Sequence, residues 1–209
     1  IEESAALNEI LTSASRIILG ESNTTPFQQN QRVICTDGKG YIHIAWKYND
    51  TVIKYARSRD FGKSFEVREI DNTPYTKGPP HVSCSENKVA IAYKNSTGLV
   101  IAMSSDNGEH FNFCMPRSSG VSNNVLVEIR GERVYVVYED TDTYSDVNFF
   151  YSNDSGQTWS NDAVIFDGSF GSAGSYLQWQ ESFFTPSMVV EGAGDNDDKI
   201  YVVAIEYFY

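Results

Sequence analysis

A short pattern recurs three times in this chain and restricts the folds that the chain can adopt. The pattern is S-x-D-x-G-x-x-aromatic, and its copies are SRDFGKSF, SSDNGEHF and SNDSGQTW, which begin at Ser58, Ser104 and Ser152. The copies start 46 and 48 residues apart. A regular period of this length indicates a repeat architecture in which each unit is one supersecondary element.

The segments between the copies predict four short strands in each unit. In the first unit, RVIC and YIHIAWKY flank a Gly-containing turn, TVIKYARS leads into the pattern, and FEVREI follows it. These segments are β-branched and aromatic, and each is bounded by turn residues. Four strands connected up and down match the blade of a β-propeller. Since a single blade cannot bury both of its faces, neighbouring blades must stack.

The predicted fold class is therefore all-β: a β-propeller of four-stranded antiparallel blades, with about three and a half blades present. A short amphipathic helix is predicted for residues 1–14, and the propeller for 15–209. The blades are predicted at about 27–73, 79–118 and 122–168, with a partial blade at 183–209.

The repeat also predicts features at its edges. SRIILG, at 15–20, is expected to be a closing fourth strand, and a further motif Asp is due near position 218. We therefore expect either a fragment of a longer chain or a ring that another chain completes. The period breaks once, in the Gly/Ser/aromatic segment 167–184, and loops that interrupt a regular scaffold often carry function.

The repeated motif is predicted to be structural. Its Asp can accept bonds from backbone N–H groups two or three residues on, its Gly permits positive φ, and its aromatic residue can pack between sheets. Three equivalent copies cannot form one active site. The residues assigned to these structural turns are Ser58, Asp60, Gly62, Phe65, Ser104, Asp106, Gly108, Phe111, Ser152, Asp154, Gly156 and Trp159.

The motif resembles the Asp-box, or BNR repeat, of sialidases and many other propellers, and the resemblance covers residues 15–209. Asp-box propellers also include carbohydrate-binding, sorting-receptor and assembly proteins, so the resemblance implies the fold and leaves the activity open. The preferred hypothesis is a non-catalytic extracellular or surface module that binds a glycan or protein ligand or builds an assembly. The alternative is a sialidase-like glycoside hydrolase, represented by its N-terminal half.

For a sialidase, the resemblance implies three arginines that grip the substrate carboxylate, an Asp acid/base and a Tyr nucleophile paired with a Glu. Arg32 in QRVICTDG stands where the first arginine of an R-I-P motif is expected, although the Pro is absent. Asp50 in KYNDTV is the nearest acid/base candidate, and Glu181 in QWQESFF is a candidate Glu. Each has an ordinary interpretation as an edge, turn or loop residue, and the preferred hypothesis assigns no catalytic residue.

Charge and composition exclude other classes of partner. The net charge of -12 argues against nucleic acid and anionic membrane surfaces, and no apolar run is long enough for membrane insertion. No cofactor is predicted, and the His and Cys spacings match no metal site. Calcium is the one cation considered, at the acidic segments 139–146 and 195–198.

Sequons and cysteines bear on the location. The N-x-S/T sequons at Asn23, Asn49, Asn95 and Asn153 are glycosylation candidates, and together with the resemblance they predict a secreted or cell-surface protein. Three cysteines, Cys35, Cys84 and Cys114, permit at most one internal disulfide. Cys35 and Cys84 occupy matching repeat positions, yet buried free thiols are the favoured interpretation.

Overall fold

A computed structural model describes residues 32–37, 39–140, 146–167, 171–173, 177–179, 181–192 and 198–208. All regular secondary structure in these ranges is β-strand. Within them no helix is long and apolar enough to cross a membrane. The predicted helix at 1–14, the predicted closing strand at 15–20 and the sequon Asn23 lie outside the described residues.

Three four-stranded antiparallel sheets follow one another along the chain. The first contains β1 Ile34–Thr36, β2 Ile42–Asn49, β3 Val52–Ser58 and β4 Glu66–Asp71. The second contains β5 His81–Ser85, β6 Lys88–Asn95, β7 Gly98–Ser104 and β8 Asn112–Arg117. The third contains β9 Val121–Arg130, β10 Arg133–Asp140, β11 Asp146–Ser152 and β12 Ala163–Phe166. In each sheet every strand pairs with the next one along the chain.

Two smaller sheets follow. β13 Gly171–Ala173 and β14 Leu177–Trp179 form a hairpin within the segment that breaks the sequence period. β15 Glu181–Glu191 then pairs with β16 Lys199–Phe208, and this pair takes the place of the first two strands of a fourth blade. β15 begins at Glu181, before the short strand that the sequence pattern indicated.

Apolar side chains join the sheets into a stack. Ala45 and Tyr55 of the first sheet pack with Ile91 and Tyr93 of the second, and further clusters join the second sheet to the third and the third to β15–β16. The second sheet is covered on both faces, which explains why β7 is buried at every residue rather than alternating. Strand order and stacking confirm the predicted fold: the chain is a β-propeller, described here over three complete blades and two strands of a fourth.

The connections divide the propeller into two ends. The turn between the first and second strands and the motif turn between the third and fourth lie at one end, which we call the motif end. There the backbone N–H of Asn107 donates to the carbonyl of Asn87 at 2.7 Å, and that of Ser155 to Glu132 at 2.8 Å. The turns between second and third strands, and the links between blades, lie at the opposite end. The first strands β1, β5, β9 and β15 form the inner edge of the stack, and the fourth strands form its rim.

Candidate functional site

The three motif turns have one geometry. In each, the Ser hydroxyl donates to the Asp Oδ1, at 2.8 Å for Ser58, 2.7 Å for Ser104 and 2.7 Å for Ser152. The same hydroxyl oxygen accepts from the N–H of the motif Gly four residues on, at 2.8–2.9 Å. The Asp carboxylate therefore fixes the orientation of the Ser hydroxyl, and the bond from the Gly N–H to that hydroxyl closes the turn.

The Asp also reaches forward to a residue that the sequence pattern did not include. Its Oδ1 accepts from the backbone N–H four residues on, and its Oδ2 bonds the side chain of that residue. These partners are Ser64, His110 and Thr158. The sequence pattern predicts that the Asp accepts from backbone N–H groups two or three residues further along the chain. The difference arises because the residue after the Asp, as well as the Gly, has positive φ, which turns the chain back toward the carboxylate.

These carboxylates are held ionised by local bonds. The bonds that Asp60 accepts from Ser64 and Ser58 lower its pKa to about 2. The bonds from Thr158 and Ser152 likewise lower the pKa of Asp154 to about 2. A carboxyl group that stays ionised to such low pH cannot serve as a general acid near neutrality. The geometry therefore assigns these groups to the fold.

A second cluster of polar residues lies on the inner edge. Arg32 Nη2 lies 2.7 Å from Glu128 Oε1, and the Glu128 side chain is only 4 % exposed. Ser83 Oγ donates to Glu128 Oε2 at 3.0 Å, and Arg130 Nη1 lies 3.7 Å from the same oxygen. Arg32 lies at the entry to the first blade, two residues before β1, Ser83 belongs to the second blade, and Glu128 and Arg130 belong to the third. Glu128 therefore connects three blades.

Side chains of β5 cap backbone groups of β9. The Val127 N–H donates to His81 Nδ1 at 3.3 Å, and the Ile129 N–H donates to Ser83 Oγ at 3.1 Å. Burial, together with the nearby Arg32 charge, lowers the pKa of His81 to about 3. His81 is thus neutral and acts as an acceptor, so this cluster joins inner strands whose backbones do not pair with each other.

Two of the three sialidase-like candidates have local ionic partners in the structure, and the third is not described beyond its backbone. Arg32 is neutralised by Glu128, and its Nε donates to the Val82 carbonyl at 3.0 Å. Asp50 lies in the β2–β3 turn with Lys47 Nζ 2.8 Å away. Glu181 is the first residue of β15, and its side chain lies outside what the structure describes. The ion pair between Arg32 and Glu128 could not be predicted from the sequence, because it depends on how three blades stack.

An apolar cavity of about 580 Å³ lies at the rim between the first and second blades. We call it the rim groove. It forms where the two sheets diverge between β4 and β8, and its open side is lined by Phe113, Met115 and Tyr75, which are 48 %, 48 % and 44 % exposed. Ile70 and Val100 form its floor. No sequence motif marked this groove, since its walls come from strands more than forty residues apart.

Asp71 and Asn95, two polar residues that line the rim groove, are already hydrogen-bonded, and Asn72 also lines it. Tyr93 Oη donates to Asp71 Oδ2 at 2.6 Å, and the ammonium of the buried Lys77 lies 3.3 Å from Asp71 Oδ1. Asn95 Oδ1 accepts from the backbone N–H of Thr97 at 2.8 Å and from its hydroxyl at 2.7 Å. The groove therefore offers mainly apolar contact to a ligand.

The sequons divide by environment. Asn49 and Asn95 are equivalent residues of the first two blades, and both accept bonds from the Thr two residues on. Asn95 is only 7 % exposed, which disfavours a glycan at this position of the folded blade. These two sequons are explained by turn chemistry. Asn153 is exposed in the third motif turn.

The cysteines correct another expectation. Cys35 and Cys84 form a disulfide with a Cα–Cα distance of 6.0 Å, so the interpretation of these two as buried thiols is wrong. Stacking brings the inner strands β1 and β5 side by side and places the two residues within bonding distance. Cys114 is free and half-buried, and burial raises the pKa of its thiol.

The calcium candidates are only partly described. Of the segment 139–146, residues 141–145 lie outside the described ranges, as do 195–197 of the second segment. Glu139 accepts bonds from Ser122 Oγ and Asn124 Nδ2, both at 2.7 Å. Among the described residues, no group of three or more His, Cys, Asp or Glu is arranged to hold a metal ion.

No family model matches the chain, and no curated protein sequence matches it. Among solved structures it is similar to one described as "YCF48 bound to D1 peptide", at 15% identity and a TM-score of 0.47. The similarity covers 75% of this chain and 50% of that chain, so the match spans half of the other protein. The assignment of the propeller fold to this chain rests on its own sheet order and stacking.

Proposed function

We propose that this chain is a non-catalytic β-propeller module that binds a protein partner and takes part in an assembly. The observation that carries the proposal is the rim groove, where Phe113, Met115 and Tyr75 are each more than 40 % exposed around one cavity. The charged groups of the inner edge, by contrast, are bonded to each other. Contiguous exposed apolar surface on a folded domain is typical of an interaction site.

The chemistry of the groove favours a protein ligand over a glycan. A sugar needs several free hydrogen-bonding groups, whereas the Asp71 carboxylate and the Asn95 amide oxygen at this groove are already engaged by Tyr93, Lys77 and Thr97. Apolar walls with a flexible Met suit aliphatic or aromatic side chains. A cavity of about 580 Å³ lies within the range for ligand pockets and can take one or two such side chains.

The sialidase-like alternative has less support from the described residues. Arg32 Nη2 and Nε are already engaged by Glu128 and by the Val82 carbonyl, which leaves Arg32 less capacity to hold a substrate carboxylate with two parallel bonds. Asp50 is bonded to Lys47 and lies in a surface turn. We therefore expect no turnover of a fluorogenic sialoside, and turnover that is lost on Arg32→Ala would overturn the non-catalytic proposal.

A secreted or cell-surface location is part of the proposal. The disulfide between Cys35 and Cys84 supports it, since structural disulfides persist mainly in oxidising compartments. The exposed Asn153 sequon is compatible with that location. Expression through a secretory pathway should yield the protein with this disulfide formed, as peptide mapping under non-reducing conditions would show.

The methionine methyl groups provide the test of the groove. The chain has three methionines, of which Met115 lines the rim groove, Met103 lies between the second and third blades, and Met188 lies between the third blade and β15–β16. With [¹³C]methyl-methionine protein, the apolar dipeptide N-acetyl-Leu-Trp-amide should shift the Met115 signal in a saturable way. The Met103 and Met188 signals should stay in place.

Two controls make the result decisive. The polar dipeptide N-acetyl-Ser-Gln-amide and sialyllactose should leave the Met115 signal unchanged, and Phe113→Lys should abolish the shift caused by the apolar dipeptide. Phe113 is half exposed, so this substitution leaves the core intact. A response to sialyllactose instead of the dipeptide would replace the protein ligand with a glycan, and no response to either would overturn the groove as the binding site.

A further inference from the structure

The segment that leads from the first blade to the second forms one wall of the rim groove. We call residues 72–76 of this segment the strap, and Asn72, Thr73 and Tyr75 in it line the groove. The strap belongs to no strand, and all five of its residues are exposed. Burial of apolar side chains therefore does little to fix its conformation.

The residue that follows the strap, Lys77, has a buried ammonium group among oxygen atoms. The Lys77 side chain is 0 % exposed. Its Nζ donates to the carbonyls of Thr51 at 2.7 Å, Thr73 at 2.8 Å and Tyr75 at 3.2 Å. Thr73 Oγ1 lies 3.1 Å from the same Nζ, and Asp71 Oδ1 lies 3.3 Å from it. These five oxygens use the full donor capacity of the ammonium group.

Asp71 compensates the buried charge and joins the cluster to the second blade. Its Oδ1 accepts from the Thr73 N–H at 2.9 Å and from the Thr73 hydroxyl at 2.7 Å. Its Oδ2 accepts from Tyr93 Oη of the second blade at 2.6 Å. A buried ammonium group is costly without such a partner. One ion pair therefore links the strap to both blades.

The strap is fixed in different ways at its end and in its middle. At the end, the Lys77 N–H donates to the Asp50 carbonyl at 2.7 Å, and the Gly78 N–H donates to the Lys94 carbonyl at 2.9 Å. In the middle, the carbonyls of residues 73 and 75 accept from the side-chain Nζ of Lys77. The conformation of the strap therefore depends on that ammonium group.

We propose that Lys77 is a positioning residue of the rim groove, whose ammonium group holds the strap so that Tyr75 lies against a bound ligand. This proposal deepens the function given above and rests on the rim groove as the binding site. The buried Lys77 side chain acts through Tyr75, which lines the groove and is 44 % exposed. Without the ammonium group the strap samples other conformations, and ligand binding must then also supply the free energy that orders it.

Titration of the whole chain with N-acetyl-Leu-Trp-amide, followed by the Met115 methyl signal, tests the proposal. Lys77→Met removes the ammonium group, keeps an unbranched side chain, and should weaken binding by about threefold to tenfold. Lys94→Met is the matched control, because the half-buried Lys94 pairs with Leu99 on the face turned to the third blade. It should leave the affinity unchanged. An unchanged affinity in Lys77→Met would overturn the proposal.

A second variant removes the ammonium group without leaving a buried carboxylate unpaired. The Asp71 side chain is 8 % exposed, so Lys77→Met alone also lowers the stability of the chain. Lys77→Met/Asp71→Asn removes both charges, and the new amide can still accept from Thr73 and donate to Tyr93 Oη. This double variant should unfold cooperatively and should show the same loss of affinity. Binding as tight as that of the wild type would overturn the proposal.

The Tyr75→Ala background separates positioning from a general loss of stability. Tyr75 is exposed, so its truncation leaves the core intact. Because Lys77 acts through the Tyr75 side chain, Lys77→Met should change the affinity little in this background. An equal loss in both backgrounds would show that Lys77 supports the fold and does not position the groove wall.

Backbone ¹⁵N relaxation of the free chain tests the strap without a ligand. In Lys77→Met the order parameters of Thr73, Tyr75 and Thr76 should fall, whereas those of β6 should match the wild type. A strap that stays equally ordered would overturn the role of Lys77 even where the groove binds the dipeptide. A wild-type Met115 signal that ignores the dipeptide would overturn the proposed function, and the order of the strap would then decide the role of Lys77 by itself.

Discussion

The Tyr55 hydroxyl of the first blade occupies the space in which a Cβ on Gly108 of the second blade would lie. The Tyr55 ring also meets Phe111 edge-on, with 5.0 Å between ring centroids. The second motif turn thus closes its own hairpin through hydrogen bonds and also packs directly against the preceding blade. Met103 takes a similar place against Gly156 in the next interface.

Gly108→Ala should therefore destabilise the protein more than Gly62→Ala. Both glycines have positive φ, at 76° and 84°, so both substitutions strain the backbone. A Cβ at position 62 meets only the end of the flexible Ile42 side chain, whereas one at 108 meets Tyr55. We expect losses of about 1 kcal/mol for Gly62→Ala and at least about 3 kcal/mol for Gly108→Ala. Urea unfolding measures both, and equal losses would contradict the packing argument.

Arg32 and Glu128 should be energetically coupled. Arg32→Ala leaves a carboxylate that is 4 % exposed with only Ser83 and a distant Arg130, and should cost about 2–4 kcal/mol. Glu128→Gln keeps the acceptor for Ser83 and should cost less, about 1–2 kcal/mol. In the double variant no buried charge remains, so its cost should fall below the sum of the single costs. Strictly additive costs in urea unfolding would show that the ion pair does not matter.

The fold was predictable because its signals are local. Alternating apolar residues and a motif turn occur in each blade, and each copy of the motif predicts the strands on either side of it. The forward partner of the motif Asp was missed because Ser64, His110 and Thr158 perform one role with three different side chains. No sequence pattern joins them until the hydrogen bonds are seen.

Contacts between blades were not predictable in the same way. The sequence makes Arg32 a candidate ligand for a substrate carboxylate, whereas its partner in the structure, Glu128, lies 96 residues further along the chain. The distance between Cys35 and Cys84 likewise depends on how closely β1 and β5 approach. The rim groove arises from the divergence of two sheets and has no signature in either sheet alone.

Removal of the disulfide should destabilise the chain without changing its fold. The bond joins residues separated by 49 positions, and closing a loop of that length restricts the unfolded state by about 4 kcal/mol. The Cys35→Ser/Cys84→Ser variant should lose about that much in urea unfolding. Cys114→Ser is the control, since Cys114 forms no disulfide, and it should retain the Cys35–Cys84 peptide in a non-reducing map. A map that pairs Cys114 would contradict the structure.

The two buried histidines should make the protein less stable in mild acid. Burial lowers the pKa of His43 to about 4, and burial lowers the pKa of His81 to about 3. Both values lie below the ordinary pKa of 6.5. At a pH between the folded-state pKa and 6.5, each histidine therefore binds a proton in the unfolded chain and not in the folded chain. The contribution of the two neutral histidines to the free energy of unfolding is therefore complete above pH 6.5. It is lost as the pH falls toward 4 for His43 and toward 3 for His81. The loss should approach about 1.4 kcal/mol per pH unit for each histidine.

Urea unfolding between pH 7 and pH 4.5 separates this effect from the motif carboxylates. The pKa of Asp60 and of Asp154 is lowered to about 2, so their contribution is lost only below the ordinary value of 3.8. His81→Asn removes the titrating ring and places its Oδ1 near the position of Nδ1, where it can still accept from Val127 N–H. This variant should lose about half of the slope of stability against pH, and adding His43→Gln should remove most of the rest. An unchanged slope in the double variant would mean that neither histidine stays neutral in the folded chain.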